Sequence, residues 1–112
     1  KPLARPSVAL YMSDMKVTLD EAASRYIIMV DGVQAGFIQV EQTADSAVFT
    51  HTEVSREFEG KGVAGRLAHD ALTDAAARGK TIVPECPYIA RYLKRHEIPG
   101  AVVAPVDSAD NE

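Results

Sequence analysis

Thr52-Glu53-Val54-Ser55-Arg56-Glu57-Phe58-Glu59-Gly60-Lys61-Gly62-Val63-Ala64-Gly65-Arg66-Leu67 is the stretch whose reading decides the fold. Alternation up to Val54 gives a strand, the glycines give a turn, and the apolar spacing that begins at Val63 gives an amphipathic helix. A strand that passes through a glycine turn straight into a helix has the anatomy of an anion site. The first helical turn carries backbone N–H groups without partners and the positive end of the macrodipole. Gly60, Gly62 and the small Ala64 remove bulk where a phosphate would sit, and Arg56, Lys61 and Arg66 add positive charge nearby. A plain tight turn would use the same glycines. Two other phosphate signatures fit poorly: GxxxxGK[ST] is absent, and the GxGxxG spacing of Gly60, Gly62 and Gly65 lacks the setting of a dinucleotide fold. Gly65 falls inside the helix and a strand with Pro84 follows, which argues against a parallel βαβ unit.

At 112 residues the chain is one domain with one core, so any ligand must lie on or through its single sheet. It has no long apolar run and no visible signal peptide or membrane span, and a soluble, cytoplasmic protein is expected. Cys86 is the only cysteine, which excludes an internal disulfide and a cysteine-based zinc site; no metal is expected. A net charge of −4 argues against general nucleic-acid binding. That charge is uneven, however: residues 55–96 hold eight Lys/Arg against five acids, and the remainder carries −7. A basic half around the glycine turn suits a small polyanion.

Residues 1–14, with two prolines and no period, read as a loose arm. Residues 15–106 form the domain, with strands beginning at Val17. Residues 26–30 are a strand, Asp31-Gly32 is a two-residue hairpin turn, and residues 34–42 resume the strand. After a polar turn at 43–46, residues 47–54 alternate, placing Phe49, His51 and Glu53 on one face and Val48, Thr50, Thr52 and Val54 on the other. Val63, Ala64, Leu67, Ala68, Ala71, Leu72, Ala75 and Ala76 form one helical stripe that ends at Gly79. A short strand at 80–83, a second helix at 88–96 and an extended segment at 98–105 complete the domain, and residues 107–112 are an acidic, disordered tail.

Four side chains could carry chemistry. Cys86 precedes Pro87, a residue favoured at the first helical position, so Cys86 falls at an N-cap where the helix dipole favours a thiolate. A small buried hydrophobe would sit there equally well. His51 and Glu53 share a strand face, where either could take a proton from an amine. Tyr92 lies one helical turn beyond Tyr88 and can face the sheet end, as an acid for a leaving thiolate or as a packing aromatic. His69 and His96 lack metal-ligand spacing and read as surface residues.

These tracts, together with Val83-Pro84-Glu85-Cys86-Pro87-Tyr88 and Arg95-His96, resemble the GNAT superfamily of N-acetyltransferases over residues 17–97, and more closely its minimal single-domain branch, the YjdJ-type GNAT-like proteins. Gly60 and Gly62 match the superfamily's Q/R-x-x-G-x-G/A motif, while Glu57 stands where Gln or Arg is usual. The resemblance implies an α/β (α+β) fold: a mixed, mostly antiparallel sheet with two main helices. The strands ending at Val54 and near Val83 would splay to admit a pantetheine arm. It also implies acetyl-CoA as cofactor, held at Val54, Arg56, Gly60, Lys61, Gly62, Val63, Ala64, Gly65 and Arg66. Tyr92 matches the tyrosine that protonates the departing thiolate in larger relatives, and Cys86 would lie near the thioester. Acetyl transfer to a primary amine, directly or through Cys86, is the expected activity. A non-catalytic acyl-CoA-binding module and a cysteine hydrolase using Cys86 with His51 are the alternatives.

Overall fold

The computed structural model describes residues 14–104. The expected N-terminal arm, apart from Asp14, and the acidic tail lie outside the described residues. Six strands form one sheet in the order β1-β2-β3-β4-β5-β6: β1 Met15–Asp20, β2 Arg25–Val30, β3 Val33–Gln42, β4 Ser46–Val54, β5 Thr81–Pro84 and β6 Val102–Val103. The first four pair antiparallel. Asp31 and Gly32 both take positive φ, 50° and 85°, as a two-residue hairpin turn between β2 and β3 requires.

Helix α1, Val63–Ala77, joins β4 to β5, and α2, Pro87–Arg95, joins β5 to β6. Both crossovers connect parallel neighbours. The β4-α1-β5 segment is therefore a parallel βαβ unit, contrary to the reading of Pro84 as an argument against one. Pro84 instead closes the strand, where its missing N–H interrupts pairing only at the last rung. Right-handed crossovers running in one lateral direction place both helices on the same face. Their buried side chains accordingly join one cluster with those of the strands. Of the helical stripe, Val63, Leu67, Ala68, Ala71, Leu72 and Ala75 are buried; the three alanines let the helix approach the sheet closely.

Tyr26 stacks on Phe49 in this core, with ring centroids 6.0 Å apart, and donates its hydroxyl to Asp74 Oδ2 at 2.7 Å. Arg78 Nε donates to the same oxygen at 2.7 Å, so this buried phenol is satisfied and the C-terminal end of α1 is tied to β2.

Gly36 lies opposite Val54, and a Cβ on it would stand 2.5 Å from the Glu53 carbonyl oxygen and 3.1 Å from Val54 Cα. Backbone offers no rotamer with which to yield. Gly36→Ala is expected to cost about 2 kcal/mol, the scale of overpacking, and to lower the denaturant midpoint. An unchanged midpoint would show that β3 and β4 separate there at no cost.

Candidate functional site

The site is organised by one irregularity in β4. Gln39 pairs with His51 but Val40 pairs with Phe49, so Thr50 has no partner on β3 and forms a bulge. One extra residue reverses the alternation. Ala47 and Phe49 point into the core before it, while Thr52 and Val54 take the helix side after it. Phe49, His51 and Glu53 therefore do not share a face, as unbroken alternation had implied. His51 and Glu53 emerge together on the opposite, helix-free face, with side chains 51% and 62% exposed.

The same region is where the sheet divides. β4 pairs with β5 only from Ser46↔Thr81 to Phe49↔Pro84; beyond that, residues 50–54 continue without a β5 partner. The last link is the Cys86 N–H, which donates to the Phe49 carbonyl at 2.8 Å. The bulge on one strand and the proline on the other thus end the ladder at one level, and among the described residues the edge of β4 is left with free backbone groups.

The glycine turn stands above this opening. A 3-10 turn, Arg56–Phe58, leads to Gly60 and Gly62, both at positive φ (79° and 80°). Gly62 is the N-cap of α1, without a side-chain cap and with no acid in the first helical turn. Arg66 N–H is the first amide to find a helical acceptor, the Gly62 carbonyl at 3.1 Å, so the amides of Val63, Ala64 and Gly65 are free among the described residues. A Cβ at Gly60, Gly62 or Gly65 would meet nothing within 4 Å, which leaves open space over the turn. Arg56 and Lys61 are exposed and form no ion pair among the described residues. Arg66 does: its Nε donates to Asp70 Oδ2 at 2.8 Å. Burial pushes the Asp70 carboxyl up, but the hydrogen bonds from His69 and Arg66 outweigh it and hold it below the ordinary value.

Cys86 is the N-cap of α2, with Pro87 in the first turn, and is 4% exposed. Its Sγ lies 3.3 Å from Thr52 Oγ1. Thr52 was missed in the sequence; the signal was the switch of apolar residues from positions 47 and 49 to 54, which marks a bulge. Cys86 and His51 are not brought together, because Cys86 meets Thr52 on the helix side and His51 points to the other. The cysteine-hydrolase reading loses its dyad.

On the open face His51 Nε2 and Glu53 Oε2 are 2.9 Å apart. A carboxylate can only accept, so Nε2 carries the hydrogen and Nδ1 is the basic nitrogen. On α2, Tyr92 stacks on His96 at 4.1 Å and tilts against Tyr88 at 6.4 Å. Tyr88, Arg91, Tyr92, Arg95 and His96 line a small cavity of about 160 Å³. Burial raises both phenols, with Tyr88 and Asp70 adding to the rise at Tyr92, and Cys86 adding to it at Tyr88 while Arg91 opposes. Both are proton donors at neutral pH. A larger apolar hollow of about 460 Å³ lies between α2 and β6, with Pro84 at the end of β5 among its lining residues.

A mixed sheet split between parallel strands, with a glycine turn and helix N-terminus at the mouth of the split, defines a GNAT-like α/β fold. Residues 25–99 match the model of the GCN5-related N-acetyl-transferase family, and the chain belongs to that family. Acyl transfer is thereby supported as its general chemistry. No curated protein matches the chain. Among the described residues there is no metal-binding cluster, and no helix is long and apolar enough to cross a membrane.

Proposed function

We propose that this chain is an acetyl-CoA-dependent N-acetyltransferase acting on a primary amine, of the minimal single-domain kind. The observation that carries the reading is the coincidence of two vacant hydrogen-bonding surfaces at one end of the sheet: the free amides of residues 63–65 and the unpaired edge of β4 over residues 50–54. Both fit the cofactor. The amides with Lys61 and Arg56 would hold its pyrophosphate, and the β4 edge up to Val54 would take the amides of its pantetheine arm.

Bound acetyl-CoA supplies an acyl carbon activated as a thioester. His51 Nδ1 takes the proton that the attacking amine loses, with Glu53 holding the imidazole through Nε2. Tyr92 holds the proton that the departing sulphur receives. Cys86, buried against Thr52, shapes the floor of the opening in the direct route. A second reading, an acyl-CoA-binding module without turnover, is favoured by the open face, which no described helix covers.

Titration calorimetry with acetyl-CoA and mass spectrometry of an amine panel test the proposal. Binding with turnover supports it, binding without turnover supports the second reading, and no binding overturns both. Lys61→Ala is expected to weaken binding severalfold and Arg66→Ala less, because Asp70 already holds the Arg66 guanidinium. Equal losses would return Arg66 to the phosphate site.

A further inference from the structure

On the helix-free face Arg25 of β2, Gln39 of β3 and His51 of β4 stand directly opposite one another. Two interstrand steps separate Arg25 from His51, roughly 10 Å between their backbones. One side chain, Phe37, lies near both. The Arg25 guanidinium lies over the Phe37 ring, 4.8 Å from its centroid, and the Phe37 ring is 6.3 Å from His51. The Arg25 Nε is buried and has no hydrogen-bond partner among the described residues. Asp20, opposite Arg25 on β1, accepts the Ala23 amide through Oδ1 at 3.2 Å, and no carboxylate reaches Arg25 among the described residues. The result is a row with a bare cation at one end, an aromatic platform in the middle and a His–carboxylate pair at the other.

We infer that this row is the acceptor subsite and that the acceptor is an amino-carboxylate whose amine and carboxylate are separated by several methylene-length bonds. The inference rests on the acetyltransferase reading above. Glu53 and His51 receive the ammonium end and deprotonate it, the Phe37 ring, one face of which carries the Arg25 guanidinium, borders the apolar spacer, and Arg25 pairs with the carboxylate. A guanidinium that is weakly hydrated, fixed on a ring and short of an acceptor is suited to a carboxylate. The ion pair sets distance as well as charge: an α-amino acid is too short to join both ends through its own ammonium and carboxylate, whereas an ω-amino acid or an amine-bearing acidic peptide spans them. The acceptor lies on the face away from the helices, and the glycine turn opens on the helix side, so the two ligands meet at the division between β4 and β5.

The test compares 6-aminohexanoate with hexylamine at saturating acetyl-CoA, using the full chain. The native protein is expected to favour 6-aminohexanoate at least tenfold in kcat/KM, chiefly through KM, and Arg25→Met is expected to bring that ratio near unity, with Arg25→Lys recovering part of it. A ratio near unity in the native protein, or one that survives Arg25→Met in a variant with a native unfolding midpoint, overturns the inference. If no amine turns over, NMR titration of the same two compounds into the native protein decides it: shifts at Arg25, Phe37 and His51 with 6-aminohexanoate alone support the subsite, and their absence overturns it. The failure of acetyl-CoA to bind is read separately by calorimetry and strikes only the cofactor assignment.

Discussion

Gly62→Asp is expected to weaken acetyl-CoA binding by about 10²-fold or more while the domain remains folded. Two unit charges 4 Å apart interact by about 4 kcal/mol at an effective dielectric of 20, and about 2.7 kcal/mol of that, surviving screening, already corresponds to a hundredfold. The backbone cost is smaller. Gly62 sits at φ 80° with open space around its absent Cβ, so a side chain there meets left-handed strain of about 1–2 kcal/mol, less for Asp and Asn, and no clash. Gly62→Asn separates the two effects, since it shares the strain and nearly the size but not the charge. Calorimetry should find it intermediate. Equal losses for both variants would show that bulk rather than charge governs the turn, and native affinity for both would remove the anion from it.

The second large effect distinguishes direct transfer from relay through the thiol. Tyr92→Phe is expected to lower the transfer rate about 10²-fold, the scale for removing a general acid, and Cys86→Ala to keep most of the native rate. Tyr88→Phe is the necessary control, because Tyr88 lies within electrostatic reach of Cys86 and Tyr92 within that of Asp70. If Tyr88→Phe carries the loss, the acid is one turn earlier in α2. Burial raises both phenols, so their neutral, proton-bearing form extends to higher pH than usual: the native rate should hold through the ordinary phenol range near pH 10 and fall only above it. That alkaline limb should vanish with the acid. A hydroxylamine-labile acetyl group on Cys86, formed and lost at the rate of turnover, would replace the direct route with the relay.

Local rules were enough for much of this molecule. Asp31-Gly32 named its hairpin, the apolar stripe from Val63 to Ala75 named α1 and its buried side, and Pro87 after Cys86 named the start of α2. Each depends on residues within one or two turns of one another. The bulge at Thr50 does not, because alternation counts residues along one strand and a bulge exists only relative to the partner strand. Parallel pairing of β5 was hidden for a similar reason: Pro84 signals a lost donor but not which neighbour loses it. The contact of Thr52 with Cys86 spans 34 residues, and that of Arg25 with Phe37 crosses a hairpin. Neither has a sequence period. Arg66 shows the opposite error, a charge counted towards a ligand that its own helix neutralises one turn later.

The division between β4 and β5 has a kinetic consequence. Under the proposed binding mode the cofactor approaches from the helix side and the acceptor from the face that carries His51, across the stretch of β4 that has no β5 partner. Ligands that arrive from opposite sides do not queue behind each other. Occupancy of one side leaves the exit of the other clear, so order of addition is not imposed by sterics, and whatever order is observed reports a change in the protein on first binding.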